Sequence, residues 1–282
     1  MRAQHAVSFE KWSAGGNDFI LVAGDEVSGQ IAPLQWARLL CRRRHCVGAD
    51  GLIVVDGESG RFWNADGSQA DFCGNGARCL GAYLLARTGR TETGFQLGAT
   101  ALRAWMEDEL VALAIPAPRF LARELEPSLL GSSLGDQIHR LSDAAWIDAG
   151  VPHLVLRFEG KPPLPLEDVS RQLWNREPFS PGGTNVIFLW GSGRGAGEWG
   201  GWIRSWERGI EGETLACGSG AVAAALLIIS GEAQVQSVAL STRGGSVLQV
   251  EQRGSTWVLR GPARRIYRGV MEHSAQQETG RS

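Results

Sequence analysis

Cys73-Gly74-Asn75-Gly76-Ala77, followed by an apolar run to Arg87, and Cys217-Gly218-Ser219-Gly220-Ala221, followed by an apolar run to Ser230, decide how this chain is read. Each stretch places a cysteine and two glycines before a segment of small and apolar residues, which predicts a helix buried on every side. The two lie about half the chain apart in a sequence of 282 residues. That separation predicts a duplicated domain, each copy carrying one cysteine at the start of its central helix.

Around these helices, short alternating apolar runs such as Val7 to Lys11, Phe19 to Ala23, Leu52 to Asp56 and Leu110 to Ile115 are separated by Gly, Asp and Asn. They read as short strands joined by turns. Leu34 to Arg44, ending in basic residues, reads as one further helix. Pro116 and Pro118 break the pattern, and a second strand-rich series follows. The expected domains are therefore 1–116, carrying Cys73, and 117–262, carrying Cys217. The segment SGRGAGEWGG at 192–201 reads as a mobile linker, and residues 273–282 as a polar tail.

Composition excludes several classes. Twenty-eight basic residues are spread against 30 acidic ones for a net charge of -2, which gives no field for nucleic acid. The longest apolar run, 221–229, is half the length of a membrane span. The amino terminus has no apolar signal region, so the five cysteines are expected as free thiols in a reducing cytoplasm. Cys41, His45 and Cys46 lack the paired spacing of a structural zinc site, and no metal is expected. Cys41, Cys46 and Cys79 read as structural.

The chemistry lies in the repeat. A cysteine at a helix amino terminus meets unpaired N–H groups and the positive end of the helix dipole, which favours its thiolate. The same N–H groups suit a carboxylate. Two such helix starts face to face would make one small anion site flanked by two thiols, a geometry for moving a proton from one face of a carbon to the other. One Cys-Gly-x-Gly is ordinary turn packing; two at matching places are not. Pyridoxal phosphate needs a lysine, and only Lys11, in a strand-like segment, and Lys161, in a Pro-rich stretch, are present. No dinucleotide or phosphate-loop fingerprint occurs either, so no cofactor is expected.

The chain resembles the diaminopimelate epimerase family of cofactor-independent isomerases. The likeness is carried by Gly16-Asn17-Asp18-Phe19, Gly48-Ala49-Asp50-Gly51, Asn64-Ala65-Asp66-Gly67-Ser68, Cys73 to Cys79, Pro152-His153, Asn185-Val186, Glu207-Arg208-Gly209 and Gly212 to Gly220, in family order. The resemblance implies an α/β fold of the α+β type. Two homologous domains would each wrap a curved mixed β-sheet round a central apolar helix, with the active site in the cleft between them. A last strand within 263–272 would return to the first domain, and the enzyme would be a homodimer.

It further implies epimerisation of LL- to meso-diaminopimelate, a step of lysine and peptidoglycan biosynthesis, with a small-molecule amino acid as substrate. Cys73 and Cys217 would be the catalytic thiol and thiolate, and His153 and Glu207 would tune them. Substrate would rest on the backbone of Gly74, Asn75, Gly218 and Ser219 and on Asn17, Asn64, Asn185, Glu207 and Arg208. Without the likeness, the asparagines are turn residues, His153 is a turn residue after proline, and Arg208 is a surface ion-pair partner of Glu207 or Glu211.

Three departures stand out. Val151 occupies the place of a usual asparagine, the loop from Glu207 to Glu213 is one residue longer, and Ser13-Ala14-Gly15-Gly16 replaces a Gly-x-Gly order. Val151 keeps open a racemase for another amino acid; a non-catalytic amino-acid-binding or thiol redox protein is the alternative of a different class.

Overall fold

Cys73 and Cys217 each cap a long helix, Gly74–Thr88 and Gly218–Gly231, and each helix lies against a mixed sheet of its own. The computed structural model describes residues 5–27, 31–70, 73–162, 165–195 and 197–273. The polar segment 274–282, and with it nearly all of the expected tail, lies outside the described residues. The chain divides into two units, one running to Met106 and resuming at Ala263, the other spanning Glu107–Pro262.

In the first unit, β1 (His5–Ala14), β2 (Asn17–Ala23), β3 (Gly51–Asp56), β4 (Ser59–Asn64), β5 (Gln69–Ala70), β6 (Glu92–Leu97) and β7 (Thr100–Glu107) accompany α1 (Gly24–Val27), α2 (Pro33–Leu40) and α3 (Gly74–Thr88). β1 and β2 are antiparallel, β2 and β3 parallel, β3 and β4 antiparallel, and β4 runs parallel to β6. The β1–β2 turn consists of Gly15 and Gly16 alone, with φ of 61° and 94°. A two-residue hairpin with both central residues at positive φ favours glycine at each, which accounts for the Gly-Gly order.

The second unit holds β8 (Leu110–Ile115), β9 (Arg119–Ala122), β10 (Leu141–Asp148), β11 (Pro152–Phe158), β12 (Asn185–Gly195), β13 (Glu198–Glu207), β14 (Gly212–Thr214), β15 (Ser237–Ser241), β16 (Val247–Arg253) and β17 (Thr256–Gly261). Its helices are α4 (Pro127–Leu134), α5 (Leu166–Leu173) and α6 (Gly218–Gly231). From β10 onward the pairings repeat those of the first unit: antiparallel, parallel, antiparallel, then β13 parallel to β15. α6 touches β10, β11, β12, β13, β15 and β16, so the sheet curves round it, and Ala221 to Ala225 are all buried. The small residues let the strands approach that helix closely.

The division falls at Met106, not at Pro116. Leu110–Ile115 pairs antiparallel with β17 through Trp257↔Ile115 to Gly261↔Val111, which ties β8 to the second unit. The last described strand, β18 (Arg264–His273), pairs antiparallel with β1 and belongs with the first. The helix expected over Leu34–Arg44 stops at Leu40, because Arg43 is drawn into ion pairs with Asp18 and Asp50.

The glycine-rich 192–201 segment is no linker: apart from the turn residue Gly197, its described residues form the ends of the paired strands β12 and β13. Gly201 serves packing. A methyl group on Gly201 would stand 2.6 Å from the Trp199 ring and 2.3 Å from the Trp190 carbonyl. Among the described residues, no helix is long and apolar enough to cross a membrane, and no group of three metal-ligating side chains is present.

Candidate active site

In each unit the expected site residues come from one end of the strands and from the helix amino terminus: Asn17 starts β2 and Asn64 ends β4 in the first, while His153 and Asn185 lie at the starts of β11 and β12 and Glu207 ends β13 in the second. This follows from register. Asn64 lies opposite Gly51 across β4 and β3, and Asn185 opposite His153 across β12 and β11.

In the first unit, Cys73 is the N-cap of α3 with extended backbone, φ −143° and ψ 110°. Its Sγ accepts the Gly76 N–H at 3.4 Å, satisfying one of the helix's unpaired donors. Beside it runs a chain of side-chain amides. Arg78 Nη2 donates to Asn75 Oδ1 at 2.5 Å, Asn75 Nδ2 donates to Asn17 Oδ1 at 2.6 Å, and Asn17 Nδ2 donates to Asp50 Oδ2 at 3.0 Å. A cation at one end and a carboxylate at the other fix which way both amides point. Asn64 stands apart from the chain, donating through Nδ2 to Ser68 Oγ at 3.0 Å.

Lys11 is buried, ion-paired to Asp18 at 2.8 Å and bonded to the Gly48 carbonyl. Burial alone would raise the Asp18 carboxyl, but Arg43 and Lys11 hold it down at about 2. These charges anchor the β2–β3 edge that presents Asn17.

In the second unit, Cys217 caps α6 in the same way, with Sγ accepting the Gly220 N–H at 3.3 Å. His153 Nε2 lies 3.9 Å from that Sγ and 3.1 Å from Ser219 Oγ. Its Nδ1 is 2.7 Å from the Val151 carbonyl. Burial depresses His153 to about 4; the Val151 bond opposes this, and the Arg208 charge reinforces it. Glu207, at the end of β13, accepts the Thr214 hydroxyl at 2.6 Å and a hydrogen bond from Cys217. Burial raises the Glu207 carboxyl despite those two bonds, which lower it.

Asn185 spends both ends of its amide, with Oδ1 accepting the Arg208 N–H at 3.0 Å and Nδ2 donating to His153. The Arg208 guanidinium donates to the carbonyls of Gly182 and Gly183.

Asn17, Asn64, Cys73, Gly74 and Asn75 thus share the first unit, and His153, Asn185, Glu207, Arg208, Cys217, Gly218 and Ser219 share the second. His153 and Glu207 both meet Cys217 within that unit. Arg78, Thr214 and the Ser219 hydroxyl, which hydrogen-bond to these residues, are not among the side chains the sequence singles out. Arg78 could have been noticed as a lone charge in an apolar helix, one turn after Asn75; nothing local marks Thr214. Among the structural cysteines, burial lifts Cys41 to about 12 and raises Cys79, which keeps both as inert thiols.

Two units of like topology, each with a cysteine capping its central helix, define the class: an isomerase that acts as an amino-acid epimerase. The chain belongs to the diaminopimelate epimerase family, whose sequence model matches residues 9–101 and 145–266. Diaminopimelate epimerase of Methanothrix thermoacetophila is 31% identical, covering 96% of this chain and 98% of its own. That of Prochlorococcus marinus is 34% identical over 94% and 92%. Among solved structures, a putative phenazine biosynthesis PhzC/PhzF protein from Clostridium difficile covers 95% of this chain and 100% of its own. It shares the fold, with a TM-score of 0.69 at 13% identity.

Proposed function

We propose that this protein interconverts LL- and meso-diaminopimelate in lysine and peptidoglycan precursor synthesis, with Cys73 and Cys217 as its two bases. One cysteine, as thiolate, takes the α-proton; the other, as thiol, gives its proton to the opposite face of the carbanion. The pair of thiols is left with the same single proton, and the other stereoisomer is handled with the roles exchanged.

The observation that carries this reading is the matched capping of α3 and α6 by Cys73 and Cys217, in a chain whose relatives, matched over nearly their whole length, bear that name. Carbanion charge flows into the carboxylate beside it. The backbone N–H groups of Gly74, Asn75, Gly218 and Ser219 are the fixed dipoles proposed to receive it, and such donors act most strongly where water is excluded. Asn17, Asn64, Asn185 and Arg208 are proposed to hold the distal end of the substrate, with the guanidinium suited to a carboxylate.

The test is a panel of LL-diaminopimelate and ordinary L-amino acids in deuterated water under reducing conditions. Deuterium should enter the α-carbon of diaminopimelate as the meso isomer appears. A strong preference for an ordinary amino acid would overturn the substrate assignment.

A further inference from the structure

The Ser219 hydroxyl lies 3.5 Å from Cys217 Sγ, and of the groups that meet this thiol His153 and Glu207 are titratable, but the hydrogen bonds around those two are not alike. His153 is committed elsewhere. Asn185 Oδ1 accepts the Arg208 N–H, so its Nδ2 is the end that meets His153 Nε2, and Nε2 must accept. Nδ1 then carries the ring proton and donates it to the Val151 carbonyl. An imidazole held neutral, with its free lone pair taken by Asn185 and Ser219, is a poor proton carrier for a thiol 3.9 Å away.

Glu207 is differently placed. Its carboxyl is buried, hydrogen-bonded by Cys217, and gripped on Oε1 by the Thr214 hydroxyl at 2.6 Å. Thr214 is itself buried and held by the β13–β14 pairing, in which Ser205 faces Thr214 and Glu207 faces Gly212. Neighbouring charged groups have partners of their own: Glu213 is engaged by Arg204 and Arg243, and the Arg208 guanidinium by the Gly182 and Gly183 carbonyls.

We propose that Thr214 is a positioning residue of the reaction: its hydroxyl holds the Glu207 carboxyl against the Cys217 thiol and governs when that carboxyl takes the thiol proton. The step balances. A proton leaves Cys217 Sγ and joins a Glu207 oxygen, giving a thiolate and a neutral carboxyl, and it returns when the thiol form is needed. The hydroxyl donates best to the ionised carboxylate, so it favours the state with the proton on sulfur and sets how readily the carboxyl takes it. This rests on the reading of Cys217 as one of the two bases.

The test compares Thr214→Val, which removes the hydroxyl at nearly constant volume, with Thr214→Ser, which keeps it. Losing a donor to the carboxylate raises its proton affinity, so the acid limb of kcat/KM for diaminopimelate should move up by about one pH unit in Thr214→Val. Thr214→Ser should return the limb to its wild-type position. The ultraviolet thiolate absorbance of Cys217, obtained by subtracting the matching Cys217→Ser protein, should shift in the same pattern without any substrate.

Wild-type protein that ignores diaminopimelate would sink the proposed function, while the thiolate titration would still judge Thr214. Unmoved profiles in Thr214→Val, or equal shifts in Thr214→Val and Thr214→Ser, overturn the positioning role. Should Thr214→Val fail to fold, Thr214→Ala is read in the same way.

Discussion

Asn185 and His153 are register partners in the parallel pair β12 and β11, and the Asn185 Nδ2 donates to the His153 Nε2 across 3.2 Å. Because the same amide accepts the Arg208 N–H through Oδ1, the network assigns one amide orientation and one imidazole tautomer. A residue read as a substrate ligand thereby fixes the ring beside Cys217.

This arrangement predicts a pH-dependent stability. His153 is depressed in the folded protein to about 4 from an ordinary 6.5, chiefly by burial. The unfolded chain gains this proton as pH falls through 6.5, and the folded chain refuses it until about 4. Stability from this group is therefore complete above that upper value and declines below it, by up to about 3 kcal/mol. Glu207, raised in the folded state, opposes the trend. Urea unfolding at about pH 7.5 and about pH 5 should show a larger loss in the wild type than in His153→Gln. Equal losses would show that His153 is not held neutral.

Cys73→Ala and Cys217→Ala should each reduce epimerisation by roughly 100-fold or more, the scale of a general acid or base. Either variant alone should suffer this loss of inversion, because each proton transfer needs a group on its own face of the carbon. Isotope incorporation followed by chiral separation reads this directly. Full activity in either variant would end the two-thiol mechanism.

The repeat was legible because it is local: a capping cysteine, two glycines and an apolar helix lie on consecutive residues, and burial of α3 and α6 follows from composition. The strand β8 was misplaced because its partner β17 lies more than a hundred residues away, and nothing in Leu110–Ile115 encodes that pairing. The 192–201 segment misled for the opposite reason. Its glycines look flexible alone, yet the chain is paired there and Gly201 makes room for the buried Trp199. The tautomer of His153 could not be read either, since Val151, Asn185 and Arg208 meet it only through strand register and turns.

Arg78 leads to a test that separates stability from activity. It is fully buried, and its hydrogen-bond partners are the neutral Gly74 carbonyl and Asn75 amide. Burial pulls the guanidinium down to about 10, with Cys79 and Cys73 opposing. A buried cation on neutral partners contributes little net stability, so Arg78→Met should unfold within about 1 kcal/mol of the wild type. Its α-proton exchange should slow at least about tenfold, because the Asn75 and Asn17 amides lose the donor that orients them. A marked fall in stability with exchange intact would make Arg78 a purely structural residue.

The two capping turns are not equally tolerant. Gly76 and Gly220 both donate their N–H to the capping sulfur. A methyl group on Gly76 would find Ile53 Cδ1 at 3.4 Å and Cys73 Sγ at 3.6 Å, ordinary contacts. On Gly220 it would meet Ile187 Cδ1 at 2.6 Å and Cys217 Sγ at 3.2 Å. Gly76→Ala should therefore hold or gain stability, since alanine is favoured over glycine in a helix by about 1 kcal/mol. Gly220→Ala should lose about 1–3 kcal/mol through overpacking and displace the Cys217 thiol, slowing exchange. Urea unfolding and deuterium incorporation on the two variants, side by side, decide the matter: matching losses at the two positions would mean that the second turn is no more tightly packed than the first.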